Sequence, residues 1–528
     1  MLRYLDNVAE IESALSLIVE FISSHNDWFF AQEGGAPLPL ARDEFDLSIA
    51  HRRLIFSSWT EKGSRSWHIR AWSGTDDKLV LKASRRMGAE MTTLELVPRA
   101  SAKALVAGIA AARRARCERL AELVAQTLVC NSATEDQRLK SVPLPVAKIE
   151  RAVLSPGMRR DQPGRYARII LRLPRARLAV TSTVALSEAR NVDSFFSSAL
   201  LWFQRLRQSP RRPFVEKLLL VVEKDVLEGA RQRHALLRRS LGRNIEILEI
   251  DEAWEKVTPV RSFERKDLWR KRLARFPPVS EAEISEQVRQ IIARASDAID
   301  VVSSRHGQTL RYHGLPFARV RRVMEKDRVW FGIEGARRRL LDEYHEPDWA
   351  KLFHDLEIYR SESCRDRKHW LYRAAGEAWL ESILRRDISR LDPGLIVAPL
   401  HAQFRTAHGG PTGARPIDLL ALRHDGRLVV IELKVNEDRE HVFQGVDYWR
   451  RVEAHRRRGH ISSAQLFGER ELSDESPLVY LVAPALRFHP SFATLGKTIA
   501  SDIEVYRFDI NEDWRGGVRV VRRERVNA

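Results

Sequence analysis

The sequence predicts a multidomain α/β protein of the α+β kind, and three observations carry that expectation. The chain has 528 residues, more than one hydrophobic core serves, and its apolar fraction of 44% is that of a folded soluble protein. Short stretches of alternating polarity crowd the first hundred residues. Two later stretches, 165–254 and 415–514, each run hairpin, helix, strand, helix, strand. The boundaries that follow are a β-rich module over 1–100, a helix with an α/β domain over 101–260, a helix and hairpin region over 261–365, and a final α/β domain over 366–528.

In the first module, apolar periodicity predicts a helix from Val8 to His25. Strands are expected over Leu54–Trp59, Ser66–Trp72, Lys78–Ala83 and Thr92–Val97, with Trp59, Trp67 and Trp72 as core residues of a small sheet. A long helix then covers Ser101 to Thr127, with Arg113, Arg114 and Arg116 on it. From Arg168 to Val184 the pattern is a hairpin. A helix follows over Phe195–Arg207, a strand over Lys217–Val222, a helix over Gly229–Leu241 and a strand over Asn244–Ile250.

The final domain repeats that order. Its hairpin lies within Arg415–Val435, its first helix at Glu440–His455, and its later strands at Leu478–Val482 and Ile503–Phe508. Both runs end alike, Ile250-Asp-Glu-Ala-Trp254 beside Ile510-Asn-Glu-Asp-Trp514. A gapless alignment sets Arg168 where Asp418 stands, Ser182 where Glu432 stands and Val184 where Lys434 stands. The middle segment thus reads as a degenerate copy of the last domain, stripped of three charged groups. Arg168 and Ser182 should then face each other, with Arg168 as a phosphate contact. Between the two runs lie the basic stretch Arg261–Phe276, a hairpin over Leu310–Ile333 and helices at Trp349–Tyr359 and Trp370–Arg386.

The formal net charge is +18, with a pI of about 10.1. Such a balance favours a polyanion such as DNA as partner. Three cysteines, Cys117, Cys130 and Cys364, show no disulfide framework or zinc spacing. No apolar run has the length of a membrane span, and the first residues open an amphipathic helix rather than a signal peptide. A cytoplasmic protein without a membrane partner is the expectation, with a homodimer left open. Leu495-Gly-Lys-Thr498 is not a phosphate loop, because Ser491 holds the place of its first glycine.

Chemistry concentrates in the hairpin Arg415-Pro-Ile-Asp-Leu-Leu-Ala-Leu-Arg-His-Asp-Gly-Arg-Leu-Val-Val-Ile-Glu-Leu-Lys-Val435. Asp418, Glu432 and Lys434 are set among aliphatic residues, and buried charges are costly unless paired or metal-bound. Glu432 and Lys434 share one strand face. A two-residue Asp425-Gly426 turn would point Asp418 away from Glu432. A three-residue His424-Asp425-Gly426 loop with Gly426 left-handed sets Asp418 opposite Glu432, and that register is the one expected. Two carboxylates and an ammonium on one patch suit phosphodiester hydrolysis with Mg²⁺ or Mn²⁺.

These residues resemble the PD-(D/E)XK nuclease superfamily, with Pro416-Ile-Asp418 as one half of the motif and Glu432-Leu-Lys434 as the other. Gln444 and Tyr448, one turn apart on the following helix, resemble its RecB-like branch. Glu377-Ala-Trp-Leu-Glu-Ser-Ile-Leu-Arg-Arg-Asp387 resembles the leading helix of the NucS-like endonucleases. The resemblance implies a restriction-endonuclease-like αβββαβ core and catalytic roles for Asp418, Glu432, Lys434, Gln444 and Tyr448. It implies a metal held by Glu377, Asp418, Glu432 and the Leu433 carbonyl, with Glu381 as the reserve acid. Arg415 and Arg168 are the expected nucleic-acid contacts. Two functions follow: a Mg²⁺-dependent endonuclease of DNA repair or defence, or a catalytically idle DNA-binding factor of the same fold.

Overall fold

The computed structural model describes the chain except residues 1, 6, 24–26, 33–37, 42–43, 51, 61–62, 76–77, 86–90, 99–101, 136–146, 158–163, 175, 185–190, 210–213, 262, 271, 277–283, 305–306, 324–325, 334–338 and 407–415. It is mixed α/β with four sheets. The chain divides into two compact units, one of residues 1–195, 203–228 and 244–260, the other of residues 196–202, 229–243 and 261–528. Arg415 and the glycine-rich segment 409–413 lie outside the described residues.

The first unit begins with helix Val8–Ser23 and an eight-stranded sheet whose paired strands are all antiparallel. Ile11, Ile18 and Ile22 of the helix pack on Trp28, Phe56, Trp67 and Leu81 of the sheet. Trp67 is thus a core residue, and Trp72 is buried beneath the Arg3 guanidinium. The helix Ala102–Glu135 follows. Two of its arginines are engaged: buried Arg113 donates to the Gly164 carbonyl, and Arg116 stacks on Trp254.

The middle sheet contains strands Lys148–Leu154, Tyr166–Arg172, Arg177–Thr183, Val215–Glu223, Ile245–Ile250 and Val257–Pro259, in that spatial order. The successive pairings are antiparallel, antiparallel, parallel, parallel and antiparallel. The last sheet holds His401–Phe404, Ile417–Leu422, Leu428–Leu433, Leu478–Pro484, Val505–Ile510 and Val520–Arg525, with the same order and the same directions. In each segment a helix precedes the first strand and helices carry the parallel crossovers.

The registers show where the gapless alignment slips. Arg168 lies opposite Thr181, and Ser182 lies opposite Ala167. The reason is the turn. Leu173 N donates to Ala176 O across a two-residue connection, whereas Arg423 N donates to Arg427 O across a three-residue one. The second strand is therefore displaced by one residue, which exchanges its faces. Arg168 still matches Asp418, but Thr181 and Thr183 stand at the places of Glu432 and Lys434. The expected pairing of Arg168 with Ser182 is corrected accordingly.

In the second unit, a five-stranded antiparallel sheet spans Ile299–Ser304, Gly307–Tyr312, Leu315–Val323, Lys326–Phe331 and Arg339–Leu340. Helix Glu346–Tyr359 buries Trp349, Phe353 and Leu356 against one face of it. The turn His313-Gly314 touches helix Gly376–Arg386, where the His313 ring stacks on Trp379. Gly314 has φ +77°, and a Cβ there would come within 2.0 Å of the Ala378 carbonyl oxygen. Gly314→Ala combines left-handed strain with a backbone clash, so it should cost roughly 2–4 kcal/mol. Denaturant unfolding measures this; a loss below 1 kcal/mol would mean the contact is loose.

Candidate active site

The loop between strands Ile417–Leu422 and Leu428–Leu433 is the three-residue form. Arg423 pairs with Arg427, and Gly426 has φ +79°. The ladder runs Leu422↔Leu428, Leu420↔Val430 and Leu419↔Ile431. The ladder ends there, and beyond it the Leu433 N–H donates to the Asp418 carboxylate, which brings Asp418 beside Glu432. Leu419, Ala421, Val429 and Ile431 pack on one side with Trp379 and Leu384, while Leu420, Leu422, Leu428 and Val430 pack on the other with Tyr448 and Val452. Asp418 and Glu432 belong to the second side by alternation.

Glu432 is 2% exposed and Lys434 9%. The Lys434 ammonium donates to Glu432 Oε1 at 2.7 Å and lies 3.9 Å from Glu377 Oε1 and 4.0 Å from Asp438 Oδ2. Asp418 accepts from the Leu433 N–H at 2.8 Å. Glu432 Oε2 is buried and, among the described residues, has no hydrogen-bond partner. Burial raises the Glu432 carboxyl well above its usual range, Asp418 raises it further, and Lys434 only partly counters them. Burial also raises Asp418, against the pull of Lys434 and the Leu433 N–H. For Lys434, burial opposes the charge, but Glu432, Glu377 and Asp418 outweigh it and hold the ammonium above its ordinary value.

Helix Gly376–Arg386 delivers two further acids. Ala375 enters it at φ +44°. Gly376 lies so close to Val435 that a Cβ would come within 2.9 Å of its Cγ2. From this helix Glu377 approaches Lys434, and Glu381, 3% exposed, accepts from the Gln403 side chain. Burial raises both carboxyls.

Gln403 is a residue the sequence reading missed. It sits in strand His401–Phe404, between Ala402, opposite Leu419, and Phe404, opposite Ile417, at φ +49°. Its Nε2 donates to Glu381 Oε2 at 2.6 Å and to Asp418 Oδ1 at 3.3 Å. Left-handed backbone at a non-glycine residue costs on the order of 1 kcal/mol or more and clusters at functional sites. Its sequence signal is a single polar residue in a four-residue edge strand, too short for a pattern. Gln403→Gly should relieve that strain and so leave the melting temperature within a few degrees, while freeing both acids and lowering any phosphodiesterase activity about tenfold or more. Unchanged activity would make Gln403 a bystander.

His441 is also new. It is 2% exposed, contacts the Glu432 carbonyl through Nε2 at 3.2 Å, and is pulled down to about 3 by burial and by Lys434. It backs Glu432 as a neutral ring. Gln444, on the same helix His441–Arg456, is 3% exposed with its carbonyl oxygen unpartnered. Tyr448 is 4% exposed in the core with Leu420 and Val430, beneath the Arg451 guanidinium at 4.5 Å. Leu433 is fully buried.

Among the described residues no group of three or more His, Cys, Asp or Glu side chains is drawn together in metal-ligand geometry. The donor set nonetheless fits a hard cation. Two buried carboxyls lie side by side, and among the described residues one of their oxygens has no donor. Such a pair needs a proton or a cation between its members. No protein-family model matches the chain. No curated protein is significantly similar to it in sequence. Among the described residues no helix is long and apolar enough to cross a membrane.

Proposed function

We propose that the last domain is a restriction-endonuclease-like core that hydrolyses DNA phosphodiester bonds with Mg²⁺ or Mn²⁺, as an endonuclease of repair or defence. One observation carries this reading: the Asp418 carboxylate, held by the Leu433 N–H at 2.8 Å, stands beside buried Glu432, with the Lys434 ammonium 2.7 Å from Glu432. Asp418, Glu432 and the Leu433 carbonyl would hold the ion, with Glu377 or Glu381 as the acid from the helix. When bound, the ion lowers the pKa of a coordinated water and offsets charge on the phosphate. The ammonium of Lys434 stays charged at neutral pH and stabilises negative charge on the reacting phosphate. Gln403 orients Asp418, and His441 backs the Glu432 main chain.

The direction of the carboxyl shifts supplies the test. These acids bind protons more tightly folded than unfolded. In the metal-free protein their contribution to stability is complete below the ordinary carboxylate range and declines as pH rises through the raised values. A cation replaces those protons, so stabilisation by Mg²⁺ should grow with pH. At a hundred times the dissociation constant it should reach about 2.7 kcal/mol. Thermal melts with and without Mg²⁺ at pH 5 and pH 8 measure this, beside nicking of supercoiled plasmid. Absence of a Mg²⁺ or Mn²⁺ shift at pH 8, together with intact plasmid, would sink the reading.

A further inference from the structure

The five-stranded sheet of residues 299–340 has two unlike faces. Leu310, Tyr312, Ala318, Val320, Val329 and Phe331 point to the side covered by Val288, Trp349 and Phe353. Alternation turns Thr309, Arg311, Arg319, Arg321, Arg328 and Trp330 to the other side. Cross-strand register orders that second face: Thr309 lies opposite Arg319, Arg319 opposite Trp330, and Arg321 opposite Arg328.

Arg321 and Arg328 are both exposed. Their cross-strand Cβ atoms lie about 5 Å apart, where two like charges destabilise a sheet. Among the described residues neither has an acid in ion-pair contact. An anion between them would turn that repulsion into charge-assisted hydrogen bonding. Arg319 is half-buried one step along the strand, with the Trp330 indole beside it. Residues on one strand face repeat every ~7 Å, and a diagonal step between strands is of similar length. Arg321 and Arg319 are thus neighbouring cations on one strand, and Arg311 follows on the adjacent strand beyond a register shift after Leu310. Asp300 is the acid opposite Arg311. Arg311 ends the row at the acid cluster, with Nη1 3.7 Å from Glu381 Oε1. Glu381 is joined through Gln403 to Asp418.

We propose that this face is a track for one strand of DNA, with Arg321 and Arg328 clasping a backbone phosphate, Trp330 stacking on a base, and Arg311 handing the strand to the carboxylates. This inference rests on the nuclease reading for its destination, though not for its binding. A single strand is favoured over a duplex because a flat sheet face enters no groove, whereas arginines interleaved with an aromatic suit unpaired bases.

The test is binding of fluorescent single-stranded and duplex oligonucleotides to the full chain in EDTA, where no hydrolysis occurs. Arg321→Gln with Arg328→Gln should weaken single-strand binding about tenfold at low salt. Loss of that one phosphate contact should reduce the slope of log affinity against log salt by about 0.7. The melting temperature should hold or rise, because a repulsion is removed. Unchanged single-strand affinity overturns the track whether or not the protein cuts DNA. A loss confined to the duplex overturns the single-strand assignment. A single-strand loss in a protein that never cleaves would keep the track and discard the nuclease reading.

Discussion

Asp418→Asn, Glu432→Gln and Lys434→Ala should each lower plasmid cleavage about a thousandfold or more, with DNA affinity in EDTA nearly unchanged. The two effects separate because they have different sources. Affinity comes from phosphate contacts spread over a chain of formal charge +18. Cleavage depends on few groups, and loss of about 4 kcal/mol of charge stabilisation is already a thousandfold in rate. The variants should also differ from one another. Glu432→Gln removes one member of the buried carboxyl pair and should abolish the Mg²⁺-induced melting shift. Lys434→Ala leaves both carboxylates and should retain that shift while losing turnover. Folding is checked by melts in EDTA. Wild-type turnover in Asp418→Asn or Lys434→Ala would remove the site assignment, because the proposed reaction depends on both groups.

What the sequence revealed of this site came through local geometry. Gly426 marks a left-handed loop residue, a three-residue loop fixes the ladder, and just past its end the Leu433 N–H holds Asp418 beside Glu432. The middle hairpin shows the limit of the same reasoning. Its turn between Leu173 and Ala176 is one residue shorter, and alignment by residue type alone concealed that. Short edge strands escaped for want of a pattern: Lys148–Leu154, Val257–Pro259 and His401–Phe404. Gln403 was lost with the last of these. Arg311 was legible only as a charge in a hairpin, because its position beside Glu381 depends on packing between elements some seventy residues apart in sequence. The identical strand order of the two α/β segments, by contrast, was present in the order of their apolar runs.

The residue that holds the helix of Glu377 and Glu381 in place left no trace in the sequence. Arg360 is 0% exposed. Burial and Arg515 pull its guanidinium down to about 9, so it remains charged at neutral pH. Among the described residues it has no carboxylate in ion-pair contact. Instead it donates to five main-chain carbonyls: Tyr312 at 2.8 Å, His313 at 2.7 Å, Leu371 at 2.9 Å, Ala374 at 2.7 Å and Ala375 at 3.4 Å. It also lies 4.7 Å from the centroid of the Trp379 ring. Two of those carbonyls end a strand of the five-stranded sheet. The other three lead into helix Gly376–Arg386, which carries Glu377 and Glu381. Arg360→Met would fill the space but withdraw its donors from all five carbonyls, of which Ala375 keeps the Trp379 N–H; a buried acceptor left without a donor costs about 1–3 kcal/mol. A loss of 5 kcal/mol or more is expected, enough to unfold a domain of ordinary stability. Arg360→Lys, with three donors for five acceptors, should fall between and keep a measurable melt. In that variant the Mg²⁺-induced shift should shrink along with stability, because the helix acids lose their fixed position. A Lys variant with normal stability and a full Mg²⁺ shift would show that the helix is held by its apolar contacts alone.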